Sequence, residues 1–529
     1  MYMKSSTLYT GTAKMIFAGM ALAGTALLVS CESDVIDLSP VDKFSDNTAY
    51  ETAERCELAM VGAYDAAQCG MYNGSWTRGY PFGAASIIQG EMRGEDMNLT
   101  AVFYDYTYSA TYNTSTANNV AMWETSYEAI NRYNVVREGH KYALASGVIT
   151  EDKGAQYEGE ALFLRGLTYH NLMVHFAMPV NVDLNNNYGM PLYLNAINTP
   201  EAIEENLKVG RSTVQQTYAQ IIEDLDRAEA LLPDAIDANP ITRASKGAAI
   251  ALKTRVYLHM RNWDKVIEEA AKLEESRFSL EANPATPFTA FSQNKESIFS
   301  IENNSSDNAS VNGAMGAMMS CRAGARAIVT SSPTLYNSTY WRGDDKRREL
   351  LLYRTSDTYY FCDKYQDPVG KTEYAPIIRY AEVLLNAAEA YARKGETDLA
   401  LAKLNEVRNR SLADPATQAY TAADFTSEKD LVTAILWERR IEFHGEGRRW
   451  EDIHRLAADD LCPSAGIPAK ISYSSAKGKD AFVVDGPVSE SWYGSIKAIP
   501  YSDKRFLWPI PTNDIIRNPT LKNQQNTGW

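Results

Sequence analysis

Apolar and small residues recur at helical spacing in two stretches near the C-terminal end of the chain, 376–411 and 431–455. The first stretch shows the i, i+3, i+4, i+7 spacing of a helix with one buried face, at Ala381, Leu384, Leu385, Ala388 and Tyr391. Gly395 interrupts this pattern, and a second apolar series follows it, at Leu399, Leu401, Leu404 and Val407. The spacing predicts an antiparallel helical hairpin with a short turn at the glycine.

The same pattern occurs earlier in the chain, which makes the hairpin a repeat. When Tyr257 is aligned with Tyr391, Arg261 falls on Gly395 at the turn. A large aromatic residue ending one helix, a tight turn and small residues opening the next are typical of tetratricopeptide-type units. Such units cannot bury their apolar faces alone, so we expect more of them, with candidates at 161–173, 214–232 and 431–443. The alternative is an irregular all-helical domain with a chance similarity.

The composition changes between Tyr72 and Tyr112, where nine residues are aromatic, about twice the frequency of 11% in the whole chain. Gly, Asn, Ser and Thr are interleaved with the rings, which predicts loops. Tyr104, Tyr106 and Tyr108 alternate as one face of an extended segment would. We therefore predict one mostly α domain over 51–529. Its helices cover about 120–175, 213–275 and 376–457, and its loop-rich lobe covers about 70–115, 278–375 and 458–529.

The N-terminus has the composition of a secretion signal. Lys4 and Lys14 precede the apolar run Met15 to Val29, which is too short to span a bilayer comfortably. The run ends at Cys31 in a pattern that resembles the lipobox of bacterial lipoproteins, in which the cysteine is lipidated after cleavage. We predict a lipoprotein signal peptide over 1–30, a lipid anchor at Cys31 and a tether over 31–50. The alternative is an ordinary secretion signal with a coincidental cysteine.

Charge and cysteine content exclude several classes of function. The formal net charge of −15 disfavours nucleic-acid binding, which requires a basic surface. Besides Cys31 there are five cysteines, an odd number, and no CxxC pair. We therefore predict neither a disulfide framework nor a zinc site, and no cofactor.

The stretch 438–455, ERRIEFHGEGRRWEDIHR, is dense in charged residues and histidine. Glu438 and Glu442 lie four residues apart on one helical face with Arg439 and Arg440 beside them, so ion pairing accounts for the pattern without catalysis. No HExxH motif, nucleophile elbow or phosphate-binding glycine loop is present. We predict that the protein is not an enzyme, although the sequence alone does not exclude two carboxylates at the spacing of a glycosidase site.

Five stretches in order resemble the SusD/RagB family of outer-membrane nutrient-binding lipoproteins. They are the lipobox at Cys31, EALFLRGLTYHNLMVHFAMP at 160–179, IRYAEVLLNAAEAYARKGETDLALAKLNEVR at 378–408, ERRIEFHGEGRRWEDIHR at 438–455, and the tail 508–526 with its WPIP and NP-x-L-x-x-N. The resemblance implies a tetratricopeptide scaffold with a loop-built lobe and lipid anchorage on the outer face of the outer membrane. It also implies that the protein covers a SusC-like TonB-dependent transporter and captures glycans for import.

The aromatic stretch supplies candidate glycan contacts. Sugars present a flat C–H face that stacks on aromatic rings and a rim of hydroxyls that needs polar partners. The candidates are Trp76, Arg78, Tyr80, Phe82, Asp96, Asn98, Tyr104 and Tyr106, with Asn303 and Arg322 from a second loop. For each ring, the alternative is that it packs the core of the lobe itself.

The second loop, 303–327, departs from the pattern of starch-binding members of the family, which contribute aromatic residues from the corresponding region. In this chain the loop contains no aromatic residue and is rich in Asn, Gly, Ala and Met. A glycan other than starch, or an oligopeptide as in RagB-like members, is compatible with this composition. A surface glycoside hydrolase is the less favoured alternative.

Overall fold

Helices make up most of the chain that the structure describes, and the longer ones pack against their neighbours in sequence. The computed structural model describes residues 48–72, 75–76, 79–236, 241–356, 359–472 and 474–529. The predicted signal peptide, Cys31 and most of the tether lie outside these residues. From Ala49 to Trp529 the chain forms one compact unit. None of the described helices combines the length and apolarity needed to cross a membrane.

Long helices alternate with short helices and short strands along the described chain. In chain order, the helices are α1 Ala53–Gln68, α2 Ala84–Met92, α3 Asp105–Tyr108, α4 Ala117–Ala145, α5 Glu151–Phe176, α6 Val180–Asp183, α7 Pro200–Asn206, α8 Val214–Leu231, α9 Lys246–His259, α10 Trp263–Ala271, α11 Thr286–Thr289, α12 Ser310–Gly313, α13 Met315–Met319, α14 Pro333–Tyr336, α15 Tyr380–Arg393, α16 Thr397–Asn409, α17 Pro415–Gln418, α18 Glu428–Glu442, α19 Arg448–Arg455 and α20 Thr512–Arg517. The strands are β1 Met71–Tyr72, β2 Ser75–Trp76, β3 Met97–Leu99, β4 Tyr188–Pro191, β5 Arg211–Thr213, β6 Ser297–Ile301, β7 Val329–Ser331, β8 Leu351–Arg354, β9 Tyr359–Cys362, β10 Ala375–Arg379, β11 Gly466–Ile467 and β12 Ile499–Pro500.

The described strands pair only in twos, always antiparallel. The pairs are β1 with β2, β3 with β7, β4 with β5, β6 with β10, β8 with β9, and β11 with β12. Several pairs join segments that are far apart in the sequence, so these short ladders connect the loop-rich segments instead of forming a layer of their own.

The predicted helical hairpin is confirmed as α15 and α16, and its repeat as α9 and α10. Gly395 has a φ of +75°, and the aligned Arg261 has a φ of +59°, so both turns use the same left-handed backbone conformation. Helices α4, α5, α8, α9, α10, α15 and α18 continue the stack through successive contacts. The mostly α, tetratricopeptide-like fold class is confirmed.

The start of the first predicted helix was wrong by four residues. Residues 376–379 belong to strand β10, which pairs with β6 and is fully buried. A short apolar run that is buried on both faces has no distinguishing period, so only the pairing partner identifies it as a strand.

The prediction of loops throughout 70–115 was also partly wrong. A buried helix, α2, crosses this stretch. Tyr104 ends a 3₁₀ turn that continues into α3, so Tyr104, Tyr106 and Tyr108 lie on helical turns and not on an extended segment. The 303–327 loop likewise contains the short helices α12 and α13.

The loop-rich lobe has a small core of its own beside the main core of the helical scaffold. Its buried members are Ala327, Tyr336, Tyr359, Phe361, Ile471, Ala476, Ala481 and Phe482. Because this core draws on residues from 327 to 482, the lobe is held together by contacts between distant segments.

Leu385→Ala tests the predicted helical register. Leu385 is fully buried between the stacked hairpins, so its truncation should lower the free energy of unfolding by about 2–5 kcal/mol. Leu399→Ala on the adjacent α16 is the matched control. Because that leucine is 48% exposed, its truncation should lower the free energy of unfolding much less. Denaturant unfolding measures both, and equal losses would contradict the register.

Candidate ligand-binding surface

Strands β3 and β7 bring the two predicted ligand-binding loops together. Met97 pairs with Ser331 and Leu99 with Val329. Beyond the ladder, the Thr100 N–H donates to the Ile328 carbonyl at 3.1 Å, and the Thr100 hydroxyl donates to the Ala327 carbonyl at 2.6 Å. The aromatic segment that follows β3 therefore lies beside the end of the 303–327 loop.

An exposed aromatic and polar surface results from this pairing. The Arg326 guanidinium lies 4.7 Å from the centre of the Phe103 ring and hydrogen bonds the Asn312 side chain. Val102 is 69% exposed and Tyr106 58% exposed on the same short segment. We call the surface formed by Val102, Phe103, Tyr106, Asn312 and Arg326 the Phe103–Arg326 platform. Ring faces beside a guanidinium and an amide are the groups that a sugar needs.

Gly79, which follows the hairpin of β1 and β2, is held close to the same loop. Gly79 has a φ of +82°, and a Cβ built there would lie 2.7 Å from the Gly313 Cα. Such a close backbone approach requires glycine and places the chain after β2 against α12, next to Asn312. Trp76 lies in β2, and its ligand contact stays a prediction. Arg78 lies outside the described residues.

Six of the predicted ligand contacts are instead buried in the lobe, which corrects their predicted role. They are Tyr80, Phe82, Asp96, Asn98, Tyr104 and Asn303, each 5% exposed or less. The Tyr80 hydroxyl accepts from Gln89 at 3.1 Å, and the Asn303 amide donates to the Glu373 carbonyl at 3.0 Å. These groups serve the interior because Tyr80, Phe82 and Tyr104 pack into the main core, and the buried polar side chains need hydrogen-bond partners within the protein.

The remaining two predicted contacts, Tyr106 and Arg322, lie at the surface. Tyr106 belongs to the platform. The Arg322 guanidinium binds both carboxylate oxygens of Asp363 at 2.8 Å each, so its hydrogen-bonding capacity is partly used within the protein. Tyr106 is therefore the predicted contact that the structure leaves most available.

Buried ion pairs attach the lobe to the scaffold just before β3. Arg440 of α18 binds the Asp96 carboxylate at 2.9 Å, and Arg449 of α19 binds Glu95 at 2.7 Å. Burial disfavours the charged form of Glu95, but Arg449 and Arg440 outweigh it and lower the pKa of Glu95 to about 2. These contacts fix the start of the platform segment relative to rigid helices.

Helix α2 makes a second attachment, to the turn before α19. A Cβ at Gly90 would overlap the Gly447 carbonyl, so the two backbones touch. The Glu91 carboxyl accepts a hydrogen bond from the Gly447 N–H at 2.7 Å. Burial raises the pKa of Glu91 to about 8, although this hydrogen bond acts in the opposite direction. The Glu91 side chain is enclosed, so its raised pKa is a consequence of packing in the interior and does not mark an acid at the surface.

The charged stretch 438–455 forms structural ion pairs, as the sequence indicated. Arg347 contacts both Glu438 and Glu442, and Arg379 contacts Glu442 at 2.9 Å. The six histidines are all buried, at 1–4% exposure. Within the described residues, no three His, Cys, Asp or Glu side chains come together as a metal site.

The first part of the 303–327 loop lines a separate cleft of about 350 Å³ against α1. Asn304 and Asp307 face Asp65 and Gln68 across it. Burial and the neighbouring Asp307 raise the pKa of Asp65.

Two family models match the chain, one described as "SusD family" over residues 329–529 and one as "Starch-binding associating with outer membrane" over residues 66–258. The chain belongs to the SusD/RagB family. Members of this family are carbohydrate-binding proteins, and the second description associates them with the outer membrane. The second matched region includes the platform residues Val102, Phe103 and Tyr106, whereas Asn312 and Arg326 lie between the two matched regions.

Relatives and solved structures agree with this assignment. SusD-like protein P2 of Formosa agariphila is 24% identical over 450 residues, 76% of this chain and 79% of that protein. A SusD superfamily protein from Bacteroides fragilis has a TM-score of 0.73 at 27% identity and covers 89% of this chain and 99% of its own. Surface glycan-binding protein A from Bacteroides uniformis shares the fold, with a TM-score of 0.67 at 22% identity over 90% of this chain and 99% of its own.

Sequence reasoning missed four platform residues as individual candidates, namely Val102, Phe103, Asn312 and Arg326. Phe103 was one ring among nine, and Arg326 lies at the end of a loop without any ring. Their common feature is the pairing of β3 with β7, which joins residues more than two hundred positions apart. No local pattern marks such a pair.

Glu91→Gln tests the raised pKa of that carboxyl. Between about pH 4.5 and pH 8 the unfolded chain loses the Glu91 proton while the folded chain keeps it, so the group lowers stability as pH rises. Glutamine cannot ionise and still accepts from Gly447. The free energy of unfolding of the variant should therefore rise relative to that of the wild type by up to about 1.4 kcal/mol for each pH unit across this range.

Denaturant unfolding at pH 5, 6, 7 and 8 measures the difference between the two proteins. Glu428→Gln, an exposed carboxylate on the first turn of α18, is the control for the substitution itself. If the difference in unfolding free energy between Glu91→Gln and the wild type does not change with pH, the raised pKa of Glu91 is contradicted.

Proposed function

We propose that this protein captures glycans at the cell surface and delivers them to a SusC-like TonB-dependent transporter in the outer membrane. Support comes from membership of a carbohydrate-binding family that associates with the outer membrane. The single observation that carries the proposal for this chain is the exposed Phe103–Arg326 platform, built where two distant loops meet.

The platform offers the two kinds of contact that sugar binding uses. The Tyr106 ring is more than half exposed, so a sugar face that stacks on it removes apolar area from water on both partners. Arg326 and Asn312 are adjacent and can donate to or accept from the hydroxyl rim. Because a capture protein has to release its cargo, we expect weak individual affinity and fast dissociation.

The rigid attachment of the platform supports binding over a role as an unstructured surface loop. The segment leaves β3 directly after the ion pairs of Glu95 and Asp96 with two scaffold arginines. Since its backbone is already ordered, a ligand would not have to bear the entropy of ordering it. Trp76 in the neighbouring hairpin stays a proposed contact.

Tyr106→Ala should weaken glycan binding without affecting folding. Loss of one ring contact is expected to cost about 1–2 kcal/mol, or roughly a five- to thirtyfold rise in Kd. Tyr142→Ala is the matched control, because that tyrosine is 60% exposed on scaffold helix α4. Affinity gels with a polysaccharide panel identify the ligand, and calorimetry then compares the variants. Equal affinities for both variants would remove Tyr106 from the site.

The same panel separates the alternatives. Retention in the gel without new reducing ends supports capture, whereas release of oligosaccharides would make the protein a glycoside hydrolase. An oligopeptide mixture is included because the 303–327 loop contains no aromatic residue. Tyr106-dependent retention of peptides with no retained polysaccharide would favour oligopeptide capture.

Cys31→Ala tests the anchor. We expect the variant to fold normally and to leave the membrane fraction, since Cys31 is the proposed site of lipidation. Cys462→Ala is the control, because that half-buried cysteine belongs to the folded unit and its loss should not change fractionation. A Cys31→Ala protein that still requires detergent for extraction from the outer membrane would contradict the proposal.

A further inference from the structure

A second groove with aromatic walls lies away from the platform, between α4, α7 and α20. Its volume is about 240 Å³, and it is open to solvent. Helix α4 contributes Trp123 and Tyr127, the segment after β4 contributes Tyr193, and α20 contributes Asp514 and Arg517. We call it the Tyr193 groove.

Two partly exposed tyrosine rings, Tyr127 and Tyr193, form the aromatic wall of this groove, and the Trp123 ring, which is only 2% exposed, packs behind them. The Trp123 and Tyr127 ring centres are 4.8 Å apart, and those of Tyr127 and Tyr193 are 5.4 Å apart. The Tyr127 hydroxyl donates to the Pro191 carbonyl at 3.2 Å, and the Tyr193 hydroxyl accepts from Asn518 at 3.3 Å. The rings are therefore held in place before any ligand arrives, which lowers the entropic cost of binding.

Polar groups of two kinds border the wall. Asp514 and Arg517 border the groove beside Trp123, and burial raises the pKa of Asp514 while Trp123 and Arg517 act in the opposite direction. Arg517 is exposed and makes no hydrogen bond within the part of the chain that the structure describes. The groove thus offers ring faces, a carboxylate acceptor and an unused guanidinium donor within one small volume.

We infer that the Tyr193 groove binds a sugar residue of an oligosaccharide, as a second carbohydrate site independent of the platform. Fixed aromatic faces match the C–H face of a pyranose, and the acceptor and donor match its hydroxyls. The volume is below the roughly 300–1,000 Å³ of pockets for drug-sized ligands, so it fits one or two sugar residues. Two separate weak sites on one chain would raise the avidity for a long polysaccharide.

The test uses the full chain with maltotriose, cellotriose, mannotriose and xylotriose, titrated separately to millimolar concentrations by saturation-transfer NMR. Arg517→Met removes the guanidinium donor, and Asp514→Asn removes the negative charge of the carboxylate and replaces one of its acceptor oxygens with an amide donor. Arg227→Met, another exposed arginine on helix α8, is the control for loss of a surface charge. Equal thermal midpoints establish that all variants are folded.

At least one trisaccharide should bind with an affinity that falls about five- to tenfold in Arg517→Met and in Asp514→Asn. The same binding should be unchanged in Arg227→Met and in Tyr106→Ala. Binding that is lost only in Tyr106→Ala would overturn the groove inference while supporting the platform. If neither Arg517→Met nor Asp514→Asn weakens the binding of any trisaccharide, the groove inference is overturned as well. The polysaccharide panel would still test the platform separately.

Discussion

Two buried ion pairs, Asp96 with Arg440 and Glu95 with Arg449, join the loop-rich lobe to the helical scaffold. All four groups are at most 16% exposed at the side chain, and Arg440 also contacts Glu95 at 2.9 Å, so removing any one charge leaves a buried cluster of unbalanced charge. Such a loss is far more costly than the loss of a surface pair. The attachment is therefore specific, and it determines where β3 starts.

The position of β3 in turn determines the surface. Pairing with β7 places the 101–106 segment against the end of the 303–327 loop, and the Phe103–Arg326 contact follows from that register. All three residues of β3 are buried, and a shift of one residue would turn each of their side chains to the opposite face of the strand. Loop residues can thus vary with the ligand while the ladder and the ion pairs keep the loops in one place.

Separate binding surfaces are a natural consequence of this architecture. The stacked helices form a rigid body whose edges are covered by short segments such as α7 and α20, and a groove arises where these do not fully cover the α4 rings. The platform and the Tyr193 groove share no residue. A polysaccharide long enough to reach both would gain affinity without tighter contacts at either.

The amino-acid sequence by itself determined the helical hairpins, the turn at Gly395 and the burial of Leu385. These features depend on neighbours within one or two helical turns, where spacing is informative. Only the tertiary structure decided which rings are exposed. Tyr80 and Tyr104 are buried while Tyr106 is exposed, although the three occur in similar sequence surroundings. The difference arises because the burial of a ring depends on the tertiary packing around it. The neighbouring Tyr108, for example, donates its hydroxyl to the carbonyl of Ile471, 363 residues away, and no local periodicity records such a contact.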